Sequence, residues 1–133
     1  MAEAPDICPA LTYDDAKAAI RQLTEAFGFT VDAVYEGEDG LVAHAELSYG
    51  NGKVMLGSKG TGSEFDKLMA GAGPTGVYVH VTDVDAHHER AVAAGAEIVM
   101  PPTDQDYGSR DYIARDAEGN IWSFGTYAPG VTG

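Results

Sequence analysis

The sequence is poor in cysteine, in basic residues and in long apolar runs. Cys8 is its only cysteine, so no internal disulfide can form, nothing points to an oxidising compartment, and a four-cysteine zinc site is excluded. Lysine and arginine number 8 against 21 aspartates and glutamates, a formal net charge of −13. Binding to nucleic-acid phosphates or to anionic lipid depends on neutralisation by lysine and arginine, so neither partner is expected. No apolar stretch approaches the roughly 18 residues that a membrane helix needs. The N-terminus, Met-Ala-Glu-Ala-Pro-Asp, has no basic segment and no apolar signal core, which makes the cytoplasm the expected address. The acidic balance favours approach of a cationic ligand, and it serves the solubility of a small domain equally well.

What is present suits one globular domain spanning residues 1–133, with 44% hydrophobic and 22% charged residues. Ile7 to Tyr13 is a β-prone run whose first half, bracketed by Pro5 and Pro9, reads as an edge or free arm because proline gives no ladder donor. Asp14 or Asp15 can cap a helix carried by Ala16, Ala19, Ile20, Leu23, Ala26 and Phe27 and stopped by Gly28. Phe29 to Tyr35 and Leu41 to Tyr49 follow as strands. Strict alternation in the second puts Leu41, Ala43, Ala45, Leu47 and Tyr49 on one face and Val42, His44, Glu46 and Ser48 on the other. Gly50-Asn51-Gly52 then turns the chain into a returning strand, Lys53 to Leu56. A glycine-rich connector, about residues 58–76, holds a short helical turn around Phe65 to Met69.

The order then repeats. Val77 to Val81 is a strand, Asp83 caps a helix ended by Gly95, Glu97 to Met100 is a strand broken by Pro101-Pro102, and Asp111 to Arg115 and Ile121 to Tyr127 complete the set. Setting Asp15 against Asp83 lays Ala18 over Ala86 and Ala26 over Ala94. The expectation is an α+β chain of two βαβββ modules, about residues 7–57 and 77–127, a duplicated supersecondary unit.

The stretches Val81-Thr82-Asp83-Val84-Asp85-Ala86, Arg90-Ala91-Val92-Ala93-Ala94-Gly95-Ala96, Asp106-Tyr107-Gly108 and Arg115-Asp116-Ala117-Glu118-Gly119-Asn120-Ile121-Trp122-Ser123-Phe124 resemble the vicinal oxygen chelate superfamily. That superfamily includes glyoxalase I, extradiol dioxygenases and bleomycin-resistance proteins, and the resemblance implies that the two modules form a curved mixed-sheet cup. In its metal-dependent members, His, Glu or Gln ligands stand on the first and last strands of each half. Matched residue by residue, those places fall on or next to Cys8, Met55, Gly76 and Ser123, which are not usual ligands of divalent ions. The resemblance therefore implies the metal-free, bleomycin-resistance-like branch. That means no cofactor, a homodimer in which the Pro5 to Pro9 segment can be exchanged, and pockets that sequester an aromatic, cationic antibiotic or natural product. A binding protein is favoured over an enzyme, and a glyoxalase-like or dioxygenase-like activity with a non-standard metal or proton-transfer site is the alternative.

Residue by residue, His44 and Glu46 share a strand face, either as a proton-transfer pair or as a solvated surface. Met55, Tyr78, His80 and Ser123 are expected to line the pocket. Tyr107, Tyr112 and Trp122 offer rings for stacking, although core packing equally explains Trp122 beside Phe124. His87 and His88 are expected on the helix surface. Arg110, with Asp106 and Asp111 around it, is either an anion anchor or a surface ion pair. Gly71-Ala72-Gly73-Pro74-Thr75-Gly76 matches a dinucleotide-loop spacing but precedes a strand instead of opening a helix, so it holds no pyrophosphate.

Overall fold

In the computed structural model, which describes residues 5–130, internal contacts divide the chain into two units, one ending at Gly73 and the other beginning at Pro74. The first contains β1 (Ala10–Tyr13), α1 (Ala16–Glu25), β2 (Thr30–Glu36), β3 (Val42–Tyr49), β4 (Gly52–Ser58) and α2 (Glu64–Met69). The second contains β5 (Gly76–His80), α3 (Val84–Ala93), β6 (Glu97–Asp104), β7 (Arg110–Arg115) and β8 (Ile121–Gly125). Each unit holds a four-stranded mixed sheet, in the orders β1-β4-β3-β2 and β5-β8-β7-β6. The outer parallel pairs are β1 with β4 and β5 with β8, and the remaining pairs are antiparallel. The α+β architecture of two βαβββ modules is as the repeat implies.

The two long helices show why the repeat is legible. Asp15 accepts a hydrogen bond from the Ala18 amide and Asp83 one from the Ala86 amide, both at 3.0 Å, so the same cap starts α1 and α3. α1 buries Ala16, Ala19 and Leu23 against its sheet, and α3 buries Val84 and Ala91. Gly28 (φ 80°) and Gly95 (φ 84°) then take the left-handed conformation that ends each run.

Two expectations are corrected. The Pro101-Pro102 pair does not break its strand, because β6 runs through it to Asp104. β6 is the edge of its sheet, and its register on β7 shifts between Met100 and Thr103, so the missing proline N–H groups remove no ladder donor the sheet needs. His87 does not stand free on the helix surface but is half-buried. Its ring lies 4.4 Å from that of Phe124, and Nδ1 is 2.5 Å from the Tyr112 hydroxyl.

The core of the second unit is built on Trp122, Tyr112 and Phe124, all closed to solvent. The stacked Tyr112 and Phe124 rings are 5.0 Å apart. The buried Asp116 carboxylate ties this core to the β7–β8 turn: it accepts from the Trp122 indole N–H at 3.0 Å, from the Asn120 amide and side chain, and from the Glu118 amide. Removing it strands a buried indole donor, and a buried unsatisfied polar group costs a large part of a domain's stability. Asp116→Ala is expected to destabilise the fold by roughly 2–4 kcal/mol in denaturant unfolding. A loss below about 0.5 kcal/mol would show that the turn does not depend on this carboxylate.

Candidate functional site

The face of the first sheet opposite α1 is set by a bulge. β2 and β3 pair Tyr35 with His44 but Glu36 with Val42, so one residue of β3 is extra. Strict alternation therefore fails at Ala43. Val42 turns inward to join Ala45 and Leu47 in the core, donating its amide to the buried Ser58 hydroxyl at 2.9 Å, and Ala43 is exposed. Beyond the bulge, His44 and Glu46 point away from α1 together, with His44 Nε2 2.9 Å from Glu46 Oε2. The Tyr35 ring stacks on His44 at 6.1 Å. Met55 is paired with both Ala10 and Glu46 and stands on the same face.

A strap closes one side of this face. Ser63 caps α2 by accepting from the Asp66 amide, and Asp66 reaches back so that its two carboxylate oxygens accept from the amides of Gly60 and Gly62, each at 3.0 Å. Those backbone donors, Gly60 first and Gly62 next, hold the Asp66 carboxyl below its ordinary range. No residue of α2 is buried. Between strap and sheet is an open pocket of about 320 Å³, lined by Ala10, Thr12, Ala43, His44, Met55 and Gly57 from the strands and by Thr61, Ser63, Phe65 and Asp66 from the strap. A Cβ on Gly57 would stand 3.1 Å from the Ala43 carbonyl and 3.3 Å from that of Val42, so a side chain there would press on the bulged backbone.

In the second unit, Tyr78, His80 and Ser123 lie on the sheet face away from α3. Tyr78 is paired with Ser123, and His80 with Gly125. The Tyr78 hydroxyl donates to the Tyr127 carbonyl at 2.6 Å. Burial, and after it the charge of Asp111, raises the Tyr78 pKa, and the Asp111 hydrogen bond does the same for Tyr107. Tyr112 and Trp122 do not line a pocket. Both are fully buried with their polar atoms spent on His87 and Asp116, and this core placement replaces the stacking role expected for them. Arg110 pairs with Asp85 and Asp104, both at 3.0 Å, not with Asp106 or Asp111.

Sequence reasoning missed Phe65, Thr61, Ser63 and Asp66. The available signal was Ser63 three residues before Asp66, a capping pattern inside the glycine-rich connector.

The four places where metal-dependent relatives carry ligands do not fit an ion. Met55 offers a thioether, Gly76 nothing and Ser123 a hydroxyl, while Cys8 directs its thiol at the Pro5 carbonyl. Among the described residues no group of three or more His, Cys, Asp or Glu side chains is placed to hold a metal ion.

Two capped βαβββ modules, each with one sheet face turned away from its helix, are the architecture of a known superfamily. The chain belongs to the glyoxalase/bleomycin resistance protein/dioxygenase superfamily, whose model matches residues 8–124. It is similar to the crystal structure of TioX from Micromonospora sp. ML1, with a TM-score of 0.80 and 36% identity over 94% of this chain and 100% of that one. It is 34% identical over 125 residues to an uncharacterized protein of Mycobacterium tuberculosis (strain ATCC 25618 / H37Rv), covering 91% of this chain and 74% of that protein. A glyoxalase I mutant from Zea mays shares the fold at a TM-score of 0.70 and 19% identity, over 90% of this chain and 43% of that one.

The strap carries a pH prediction. A carboxyl whose folded pKa is depressed stabilises above its unfolded pKa and loses that contribution as pH falls through the folded value. The strap is therefore expected to loosen below about pH 4, read as faster amide exchange at Gly60 and Gly62, and Asp66→Asn should loosen it already at neutral pH. Unchanged protection in that variant would contradict the role given to Asp66.

Proposed function

We propose that this chain is a small-molecule-binding protein that sequesters an aromatic, cationic antibiotic or natural product without a metal. The observation that carries the reading is the pocket between the first sheet and the strap. At about 320 Å³ it falls at the small end of ligand pockets, which run about 300–1,000 Å³. Its apolar wall of Ala10, Met55 and Phe65 suits a planar ring, a thioether beside an aromatic edge being a favourable contact. Thr12, Thr61 and Ser63 add hydroxyls that can orient polar substituents. The net charge of −13 raises the local concentration of a cation.

The resemblance to bleomycin-resistance proteins supports a homodimer and, with the acidic balance, a cytoplasmic protein free of nucleic acid. In the described residues β1 pairs with β4 of its own chain. No helix among them is long and apolar enough to cross a membrane.

A second reading is favoured by one observation, the 2.9 Å contact of His44, on the pocket wall, with Glu46. An imidazole oriented by a carboxylate is a general-base arrangement, so a proton-transfer enzyme would use this pair. His44→Gln and Glu46→Gln separate the readings, since a binder keeps its fold with altered affinity while an enzyme loses turnover.

The binder is tested by thermal shift against a panel of planar aromatic cations. A true ligand at a hundredfold excess over its Kd stabilises by roughly 2.7 kcal/mol, and Met55→Trp, which fills the pocket, abolishes that shift without unfolding the protein. Stabilisation that survives Met55→Trp would move the ligand elsewhere.

A further inference from the structure

A second feature lies on the sheet face of the other module. Asp111 is only 7% exposed, yet its hydrogen-bond partners are neutral. The Ser109 hydroxyl donates to one carboxylate oxygen and the Tyr107 hydroxyl to the other, the latter at 3.0 Å. None of the ion pairs among the described residues uses Asp111, and the neighbouring Arg110 is taken up by Asp85 and Asp104. A buried carboxylate is ordinarily matched by a cation, because desolvation of the charge is expensive.

The surroundings are aromatic and preorganised. The Ser109 hydroxyl that donates to Asp111 accepts from the Tyr127 amide at 3.1 Å, and the Tyr127 carbonyl accepts from Tyr78 at 2.6 Å. The rings of Tyr107 and Tyr127 meet edge to face at 6.4 Å, and both are more than half-open to solvent or nearly so, at 67% and 50% exposed. Gly125 makes the arrangement possible: a Cβ there would overlap the Asp111 carboxylate and stand 2.8 Å from the Tyr78 hydroxyl. Across β8 in the same row, the exposed His80 is paired with Gly125 and carries no acidic partner among the described ion pairs.

We propose that the second module carries a site for an organic ammonium ion, its charge held on Asp111 and its alkyl or aryl groups against the rings of Tyr107 and Tyr127, with Tyr78 as the floor. Carboxylate and π-faces act in the same sense on a cation, and a primary ammonium can donate to the Asp111 oxygen that the Tyr107 hydroxyl now fills. The proposal stands whether or not the strap pocket binds a ligand.

The test is an NMR titration of the isotope-labelled full chain with benzylammonium and, as the neutral counterpart, benzyl alcohol. The cation is expected to give saturable shifts at the amides of Ser109, Asp111, Gly125 and Tyr127, and benzyl alcohol none. Asp111→Asn should weaken the cation by roughly tenfold or more. Because Asp111 is buried and Tyr107 donates to it, Tyr127→Leu is made as well; Tyr127 contributes only its backbone to the hydrogen bonds here, so this variant keeps the fold and should weaken binding several-fold. Equal response to the neutral alcohol, shifts confined to the strap pocket around Met55, or undiminished affinity in Tyr127→Leu would overturn the proposal.

Discussion

Everything in this molecule depends on the fact that each four-stranded sheet is packed against one helix on one face. The apolar residues of α1 and α3 select that face, and the strands must present Leu11, Ala45, Leu47 and Leu56 to the first helix and Tyr112, Trp122 and Phe124 toward the second. The opposite face then collects what the core does not accept: His44, Glu46 and Met55 in one module, Tyr78, Asp111 and Ser123 in the other. Function is assigned to that second face because the first is spent on stability.

The polar groups divide the same way. Asp116 and the two cap aspartates hold turns and helix starts, so their oxygens are occupied by backbone and indole donors. Asp66 organises the strap through glycine amides. Asp111 alone among these is buried on the outer sheet face with hydroxyl donors only. The acidic surplus of the chain thus combines structural carboxylates with one on the outer sheet face.

The order of elements was readable because its punctuation is local. Asp15 and Asp83 cap, Gly28 and Gly95 stop, and Gly50-Asn51-Gly52 turns, each within a few residues of its partners. What sequence could not supply depended on pairing. The β3 bulge that turns Val42 inward is fixed by its register with β2, and Gly57 across the sheet leaves room for it. The tolerance of Pro101-Pro102 depends on β6 being an edge. The site was legible on the strands, where period-two alternation places His44, Glu46 and Met55, but not in the connector, where Phe65 reaches the pocket through a strap shaped by glycine turns. Tyr112 and Trp122 were misplaced for the same reason: an aromatic near a ligand face and one beneath it look alike until the sheet assigns their sides.

The proposed binder works through shape and stacking instead of a bound ion. Metal content of the purified full chain, prepared without chelators and measured by inductively coupled plasma mass spectrometry after incubation with nickel, zinc, manganese and iron, is the decisive test. A binder of this kind retains no ion at stoichiometric level. A tightly held equivalent of any of them would contradict it and would make His44 and Glu46 the first residues to examine as ligands.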